Sequence, residues 1–360
     1  MSPQPLGVAV AGLGFGEKVH LPALAAAPDL EAVALWHPRQ ERLDAATAAH
    51  GLKGFSDWDA LLADPAVDAV IIATPPAPRF DLARRALEAG KHLLLEKPIA
   101  LHADQARELQ RLALARGLSV AVDYEYRAVP LFMQAARLLQ AGAVGTPWLV
   151  KLDWLMGSRA DPQRGWNWYA QADQGGGVIG ALGTHAMDML AWLIGPLGAV
   201  QALNSVSIKQ RPHPDGGLAA VDAPDVSLLQ TVAHWQGRQD LPVPAQVSLS
   251  SVSRNGRGFC LDVVGSSGSL LLSSTNQKDY VHGFELQHAP LGEPFRAVEA
   301  DADFAFPETW SDGRIAPVAR VLGWWAESIR CGQPMLPGLA EGVASRVACD
   351  QAAGGTLDLA

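Results

Sequence analysis

Cysteine is scarce in this chain of 360 residues. Its three cysteines, Cys260, Cys331 and Cys349, are far apart and odd in number. They lack the paired spacing of a zinc site or of a disulfide framework, so we interpret them as reduced thiols in the core. The sequence therefore predicts no metal site.

Long apolar runs and basic clusters are missing as well. No apolar stretch reaches the roughly 18 to 20 residues that cross a bilayer, and the best candidate, residues 189–200, is interrupted by Gly195-Pro196. Residues 1–7 contain no basic region before an apolar segment, so no secretory signal is indicated and we expect a cytoplasmic protein. The net charge of -9, without a run of Lys and Arg among aromatics, argues against a nucleic-acid partner.

The composition that is present fits a globular protein of two domains. Hydrophobic residues make up 49% of the chain and charged residues 18%, and 360 residues exceed the usual size of one hydrophobic core. Short apolar runs alternate with helical patterns over residues 1–125, which predicts a parallel α/β domain. Period-2 segments dominate residues 126–360 and predict an α+β domain rich in antiparallel strands.

The pattern also predicts individual elements in both domains. The predicted strands of the first domain are residues 6–11, 31–36, 68–74, 92–96 and 118–123, and its helices include 57–63, 79–89 and 103–116. The predicted strands of the second domain include residues 148–155, 226–235 and 245–252, and its helices are 129–140, 178–193, 317–329 and 339–351.

A glycine-rich turn follows the first predicted strand, at Gly12, Gly14 and Gly16, with Phe15 inside it. In this context glycines let the backbone approach a pyrophosphate at a helix N-terminus, so these four residues are predicted to bind a dinucleotide. The third glycine of the usual pattern falls at Glu17, whose carboxylate must turn away from a phosphate. The alternative is an ordinary strand-to-helix turn.

The end of the second strand indicates which dinucleotide is bound. An NAD-binding domain carries an acidic residue there, but this chain has Trp36-His37-Pro38-Arg39. Arg39 and His37 suit a 2'-phosphate, so the sequence favours NADP, with NAD left possible. The alternative is a solvated arginine in a loop.

Lys97 and His185 are the candidate catalytic residues. Lys97 lies in Glu96-Lys97-Pro98, where a predicted parallel strand ends, and its ammonium group could stabilise an alkoxide or polarise a carbonyl. His185 follows the triple glycine 175–177 in a predicted helix, and imidazole exchanges protons near neutral pH. The alternatives are a lysine that extends from a strand end to solvent and a structural histidine.

These features, together with Thr74-Pro75-Pro76, resemble the glucose-fructose oxidoreductase / inositol dehydrogenase (Gfo/Idh/MocA) family. The resemblance implies a Rossmann domain followed by an α+β domain with a large open-faced, mainly antiparallel sheet, often an oligomer interface. It also implies that the nicotinamide lies near Lys97. The cofactor contacts that we expect at this edge are Ala73, Thr74, Pro75, Glu96 and Lys97.

The sequence departs from the family pattern at two positions. Catalytic members usually have an aspartate one helical turn before the histidine, where this chain has Ala181. Asp188 could orient His185 from the other side, or pair within its helix. Arg79 stands where the family often has a histidine, so contacts to the cofactor are expected to differ there.

Aromatic and polar residues near both motifs suit a sugar or polyol, by stacking and hydrogen bonding. The predicted substrate contacts are His185, Tyr124, Arg127, Arg164, Trp166 and Trp168. The alternative for the tryptophans is packing beneath a loop.

The sequence thus predicts an NADP-dependent oxidoreductase that acts on a secondary alcohol or ketone of a sugar, cyclitol or related polyol. We expect a homo-oligomer formed through the C-terminal sheet. Loss of the aspartate motivates one alternative, a noncatalytic NADP-binding sensor. A second alternative is an enzyme that retains and recycles its nicotinamide. Substrate identity and reaction direction cannot be read from the sequence.

Overall fold

The structure, a computed structural model, describes residues 4–355. Its contacts divide the chain into two compact units. The first contains the residues up to Ala128 together with Glu308–Arg346, and the second contains Val129–Pro307 together with the residues from Val347. The outermost parts of the two predicted domains, residues 1–3 and 356–360, lie outside the described residues.

Short strands and helices alternate along the first unit. In chain order they are β1 (Leu6–Ala11), α1 (Leu21–Ala25), β2 (Leu30–Trp36), α2 (Gln40–His50), β3 (Lys53–Phe55), α3 (Trp58–Leu62), β4 (Ala69–Ile72), α4 (Pro76–Glu88), β5 (His92–Leu95), α5 (Ala103–Arg116) and β6 (Val120–Val122). The six strands form one parallel sheet in the order β3-β2-β1-β4-β5-β6. The order reverses between β1 and β4, and in such Rossmann sheets ligands bind outside the carboxyl ends of the strands at that point.

Successive residues of each strand point to opposite sides of this parallel sheet, and a hydrophobic cluster buries the side chains on each side. Val8 and Val10 of β1 belong to one hydrophobic cluster, whereas Ala9 and Ala11 belong to another. Helices α4 and α5 supply apolar residues to the second cluster. The strands therefore consist of continuous apolar residues and leave polar groups to their ends.

The second unit is built on a larger sheet. In chain order its elements are α6 (Pro130–Gln140), β7 (Pro147–Leu155), α7 (Thr184–Leu193), β8 (Gln201–Ser205), β9 (Gln210–Pro212), β10 (Leu218–Ala220), β11 (Val226–His234), β12 (Pro242–Ser250), β13 (Gly258–Gly265), β14 (Gly268–Ser274), β15 (Glu285–Pro290) and β16 (Arg296–Val298). Eight strands pair in the order β16-β15-β14-β13-β7-β12-β11-β8, and β9 and β10 form a separate hairpin. Of the pairs in the large sheet, only β7 with β12 is parallel among residues 4–355. The predicted fold class, a Rossmann domain followed by an α+β domain with a large, mainly antiparallel sheet, is confirmed.

The chain ends with α8 (Ile315–Cys331) and α9 (Leu339–Ala353). Helix α8 differs from the sequence-based division, which assigned it to the second domain. Its buried residues Val321, Leu322 and Trp325 belong to the same cluster as Val8 and Val10 of β1. The reason is that a parallel sheet needs cover on both faces, and α8 provides apolar cover for one of them.

The helix predicted over residues 178–193 is wrong in its first part. Ile179–Gly183 form a π-helical turn, and the α-helix α7 begins only at Thr184. A side chain at Gly180 would collide with the carbonyl oxygen of Gly175, so the wide turn depends on a glycine. No helix among residues 4–355 combines the length and apolarity needed to cross a membrane.

Candidate functional site

The glycine turn after β1 has the geometry of a nucleotide cradle. Gly12 has φ of +101°, and a Cβ there would lie 2.7 Å from the carbonyl oxygen of Ala73. A Cβ at Gly16 would lie 2.8 Å from the side chain of Val10, whereas one at Gly14 would meet no atom within 4 Å. The first glycine thus permits the turn, the last permits close packing of helix on strand, and Gly14 leaves space on the open side.

The carboxylate of Glu17 is engaged elsewhere, as a phosphate at this turn requires. It lies 3.2 Å from Nε2 of His50. The ring of Phe15 packs edge-on against His20, with their centroids 5.3 Å apart, and lies 5.2 Å from the guanidinium of Arg314. The guanidinium of Arg314 therefore lies near the glycine turn, and the carboxylate of Glu17 is occupied by His50.

His37 and Arg39 follow β2 at the same carboxyl edge of the sheet. The backbone N–H of Arg39 donates to Nδ1 of His37 at 3.1 Å, and burial lowers the pKa of His37. The side chain of Arg39 is exposed, and no carboxylate of the described chain forms an ion pair with it. An exposed guanidinium here suits an anionic group on the adenosine ribose.

Arg79 lies in α4 and ties together the ends of β4 and β5. Its side chain is 3% exposed, and its guanidinium donates to the carbonyl oxygens of Thr74, Glu96 and Pro98, the second at 2.8 Å. Burial lowers the pKa of Arg79 to about 10, and the charge of Glu96 opposes that effect. Arg79 thereby fixes the backbone on both sides of Lys97.

His20, Glu96 and Asp123 form a cluster, which we call the buried triad, at the carboxyl ends of β5 and β6. Nε2 of His20 lies 2.9 Å from Oε1 of Glu96 and 3.7 Å from Oδ2 of Asp123. The side chains of His20 and Asp123 are 0% and 1% exposed. Two carboxyl groups and an imidazole therefore share a volume with almost no water.

The two carboxyl groups of the triad titrate in opposite directions. Burial opposes ionisation of Glu96, but the hydrogen bond with His20 and the nearby charge of Lys97 lower the pKa of Glu96 to about 2. Burial, together with the charges of Glu96 and Glu125, raises the pKa of Asp123 well above its ordinary value. At neutral pH Glu96 is therefore an anion, while Asp123 keeps its proton to a higher pH than an ordinary aspartate does.

The triad also has a donor set that would suit a divalent cation, because its three ligand atoms lie within 4.8 Å of one another. The sequence predicted no metal, and this grouping could not be seen in the spacing of its members. The raised pKa of Asp123 and the charge of Lys97 both offset the negative charge of the two carboxyl groups.

The remaining residues predicted at this edge lie in different environments. Lys97 is half-buried directly after the strand end, whereas Thr74 is buried and Ala73 and Pro75 flank it. Tyr124 belongs to the core of the first unit, and its hydroxyl group hydrogen-bonds with that of Ser345. Arg127 lies in the 3₁₀ turn Glu125–Ala128 that follows, and its backbone N–H donates to the carbonyl of Tyr124 at 3.0 Å.

His185 lies in the first turn of α7 in the second unit. Its side chain is buried, with its ring 6.1 Å from that of Trp154 on β7. Ala181 lies in the preceding π turn, so the position of the missing aspartate is separated from His185 by a change of helix type. Asp188 is buried three residues further along α7. The structure therefore keeps His185 and Asp188 in one helix and leaves no acid at residue 181.

Comparison with known proteins identifies the family. Residues 6–124 match the oxidoreductase family with an NAD-binding Rossmann fold, and residues 136–353 match the C-terminal alpha/beta domain of the same family, GFO_IDH_MocA. The chain belongs to this family. It is an oxidoreductase, as the sequence predicted.

Two relatives and one solved structure illustrate the relationship. An uncharacterized oxidoreductase of Synechocystis is 42% identical over 349 residues, which are 96% of this chain and 92% of that protein. A levoglucosan dehydrogenase of Pseudarthrobacter phenanthrenivorans is 31% identical over 228 residues, only 61% of this chain and 58% of that protein. A levoglucosan dehydrogenase in complex with NADH and L-sorbose shares the fold, with a TM-score of 0.85, 24% identity and coverage of 97% and 96%.

In the second unit of this chain, neighbouring loops hold the predicted substrate residues. The indole N–H of Trp166 donates to the carbonyl of Ala220 at 2.8 Å, and its ring lies 5.1 Å from His213. Trp168 starts the 3₁₀ turn Trp168–Ala170, and exposed Arg164 donates to the carbonyl of Ser158 at 2.7 Å. For Trp166 these contacts agree with the alternative of packing under a hairpin, and its contact with substrate stays a prediction.

Sequence reasoning missed the buried contacts that Arg79, His20 and Asp123 make near Lys97. Arg79 stood out in the sequence only because it replaces a histidine of the family pattern. A charged residue on the inner face of a helix also indicates that its side chain has buried hydrogen-bond partners. His20 stands between Val19 and Leu21, and Asp123 directly follows an apolar strand. Polar residues in such apolar surroundings need buried partners, which is the signal that could have found them.

Proposed function

We propose that the protein is an NADP-dependent oxidoreductase that acts on a secondary alcohol or ketone of a sugar, cyclitol or related polyol. The observation that carries the proposal is Lys97, placed at the carboxyl end of β5 beside an ionised and buried Glu96. The family supports the oxidoreductase chemistry, and a relative named levoglucosan dehydrogenase supports a carbohydrate substrate.

Each catalytic group has a separate role in this proposal. When bound, the nicotinamide supplies the carbon that accepts or donates the hydride. The ammonium group of Lys97 stabilises negative charge on the substrate oxygen. His185 accepts or donates the hydroxyl proton.

The roles of Lys97 and His185 are tested by steady-state kinetics on a panel of sugars, polyols and their ketones. We expect Lys97→Ala and His185→Ala each to lower kcat/KM by about 10²- to 10⁴-fold, since each removes one charge-stabilising or proton-transferring group. Lys278→Ala, at an exposed position, is the matched control and should leave kcat/KM unchanged. Turnover that survives both alanine variants would refute the assigned roles.

The preference for NADP rests on Arg39 and His37. The 2'-phosphate would form charge-assisted hydrogen bonds with the exposed guanidinium, and no acidic side chain ends β2 to bind a ribose hydroxyl. We expect Arg39→Ala to weaken NADPH binding by about tenfold or more and to leave NADH binding nearly unchanged. A wild-type protein that binds NADH more tightly than NADPH would overturn this preference.

Ala181 favours a second candidate, a noncatalytic NADP-binding sensor of the same fold. Alanine can neither take up a proton nor orient an imidazole, so the acid–base machinery is smaller than the resemblance implies. Tight dinucleotide binding without turnover on a broad panel would favour the sensor, whereas turnover that depends on His185 would exclude it.

We further propose that the protein is a homo-oligomer that uses the outer face of the large sheet. Leu149 of β7, Val264 of β13 and Leu228 of β11 are exposed and lie on the same face by strand register. Burial of such a row in a second copy would remove apolar surface from water. Replacement of Leu149 and Leu228 by Glu should lower the mass measured by light scattering to that of one chain; an unchanged mass contradicts this assignment.

A further inference from the structure

Two arginines line a small cavity in the second unit, and a third lies close to them. Arg159 and Arg211 line this cavity together with Tyr169 and Ser251. The backbone N–H of Arg159 donates to the carbonyl of Ser251, just after the end of β12, at 2.8 Å. Arg164, close enough for its charge to act on Arg159, is the third arginine. We call this place the arginine pocket.

The arginine pocket adjoins the segment that leads to His185. A side chain at Gly176 would collide with the carbonyl oxygens of Trp168 and Tyr169, so the pocket wall packs directly on the triple glycine. That glycine segment continues through the π turn into α7. A group bound in the pocket is therefore held by the same part of the second unit that positions His185.

None of the three arginines forms an ion pair with a carboxylate among residues 4–355. Arg211, 4% exposed, donates to the carbonyls of Arg159 at 2.7 Å and of Asp161 at 2.8 Å. Arg164 donates to the carbonyl of Ser158, and the guanidinium of Arg159 stacks on the ring of Tyr169 at 3.6 Å. Neutral acceptors and one ring thus hold three positive charges.

The carboxylates near the pocket are used by backbone amides. Asp225, which lines the cavity, accepts from the N–H groups of Ser207 at 2.8 Å and Ile208 at 2.9 Å. Asp161 and Asp222 accept from the backbone N–H groups of residues 163 and 172. Two arginines, Arg159 and Arg211, and one aspartate, Asp225, line the cavity, so its lining keeps an excess of positive charge.

The excess of positive charge disfavours the charged form of Arg159. Burial, together with the charges of Arg164 and Arg211, lowers the pKa of Arg159 to about 10, although Tyr169 opposes that effect. Buried cations are stabilised when an anion accompanies them, so the surroundings of Arg159 favour binding of one.

A buried hydroxyl group in the same cavity points to a ligand independently of the charges. The side chain of Ser251 is 1% exposed, and its hydroxyl makes no hydrogen bond of normal geometry to a described residue, although it lies beside the Tyr169 hydroxyl. Buried hydroxyl groups are normally hydrogen-bonded, and a hydroxyl group has room for a further partner besides Tyr169, so Ser251 can bind an oxygen that comes from outside the chain. The narrow part of the cavity has room for about one water molecule, and the cavity is open on one side, so it can take one oxygen of an anion whose remaining atoms lie in the opening, whereas it excludes a sugar ring.

We infer that the arginine pocket binds an anionic oxygen group, a carboxylate or a phosphate, carried by the substrate. Arg159 and Arg211 supply the positive charge, and Ser251 supplies a neutral hydrogen-bond donor. As a statement about the substrate, the inference rests on the proposed function and narrows it from sugars in general to acidic sugars. Binding of the anion itself does not depend on that function.

The direct test measures anion binding in the absence of cofactor. Inorganic phosphate and acetate are titrated into the protein by calorimetry at constant ionic strength, with chloride as the background ion. We expect Arg159→Gln to raise the Kd of the bound anion by about tenfold or more, and Arg159→Lys to raise it less, because lysine keeps the charge. The matched control is Arg238→Gln, an exposed arginine of the same unit paired with Asp240, which should change nothing.

Folding and substrate class are controlled separately. Arg164 is exposed, so its replacement should not disturb folding. Arg164→Gln should also raise the Kd of the bound anion, which keeps the test valid if Arg159→Gln does not fold. In the kinetic arm, a sugar acid, the corresponding neutral polyol and a sugar phosphate are compared, and the preferred anion identifies the source of the charge. We expect the better acid to exceed the neutral polyol by about tenfold or more in kcat/KM, and Arg159→Gln to remove that difference.

The outcomes separate this inference from the proposed function. The inference is overturned if the protein binds neither phosphate nor acetate, or if the Kd is unchanged in both the Arg159→Gln and Arg164→Gln variants. The proposed function still holds in that case if the protein turns over neutral sugars. Anion binding that depends on Arg159, in a protein that turns over no sugar, overturns the function and keeps the pocket as an anion site.

Discussion

Replacement of Asp123 by Asn tests the charge state of the buried triad. Burial and the charges of Glu96 and Glu125 raise the pKa of Asp123 well above its ordinary value of 3.8, so the folded protein keeps the proton of Asp123 to a higher pH than the unfolded chain does. An asparagine amide can donate a hydrogen bond to Glu96 as the protonated carboxyl group does, but it cannot ionise. The variant therefore keeps the side chain at position 123 uncharged at every pH.

The sign and size of the effect follow from proton linkage. Above pH 3.8 the unfolded chain loses the proton of Asp123 while the folded chain keeps it, so stability falls as pH rises until the raised pKa is passed. The slope contributed by this residue is about 1.4 kcal/mol per pH unit. Glu96, with a pKa lowered to about 2, adds a slope of opposite sign only below its ordinary value of 4.5.

The assay is urea unfolding of the wild type and Asp123→Asn at successive pH values from 5 to 8. We expect the stability of the variant relative to the wild type to increase by about 1.4 kcal/mol for each pH unit below the raised pKa. Asp104→Asn, whose side chain is 95% exposed in the same unit, is the control and should show no such trend. A stability difference between Asp123→Asn and the wild type that stays constant over this range refutes the protonated Asp123.

Further predictions concern the glycine turn, Arg79, α8 and the triad. Gly12→Ala should lower Tm because it strains a positive φ and collides with the backbone, whereas Gly14→Ala should keep Tm and weaken dinucleotide binding by about tenfold, as calorimetry can show. Arg79→Lys should lower stability by about 1–3 kcal/mol in urea unfolding and reduce kcat, because lysine cannot reach three carbonyls at once; equal kcat would contradict its role in fixing the backbone around the catalytic lysine. Trp325→Ala should lower the free energy of unfolding by about 3–5 kcal/mol, against little change for the exposed Trp148→Ala. Dialysis against EDTA should leave Tm unchanged if a proton rather than a metal ion balances the triad; a Tm that falls with EDTA and returns with zinc would contradict this.

The sequence predicted elements well where one local rule decides them. Strand β1 and helix α5 begin and end at the predicted residues, since an apolar run and a helix stopped by Gly117 leave little choice. The glycine turn was also placed correctly, because its context between strand and helix is local. Strand β3 was not predicted, as its three residues are mostly exposed and carry no alternating pattern.

Features that depend on distant parts of the chain were not predicted. The hydrophobic face of α8 indicated a buried helix but not which sheet it covers. His20 and Asp123 are about one hundred residues apart, and no periodic pattern joins them. The resemblance to the family supplied Lys97 and His185, whereas the residues that set their surroundings came only from the structure.

The return of α8 to the first unit affects how this protein can be made. Residues 308–346 are synthesised well after residues 6–122, yet the parallel sheet of residues 6–122 needs their apolar cover. One face of the sheet therefore stays incompletely shielded until residues 308–346 have been synthesised. A gene cut at the boundary near residue 128 would yield a fragment prone to aggregate, and a recombinant nucleotide-binding half would need the late segment joined back to it.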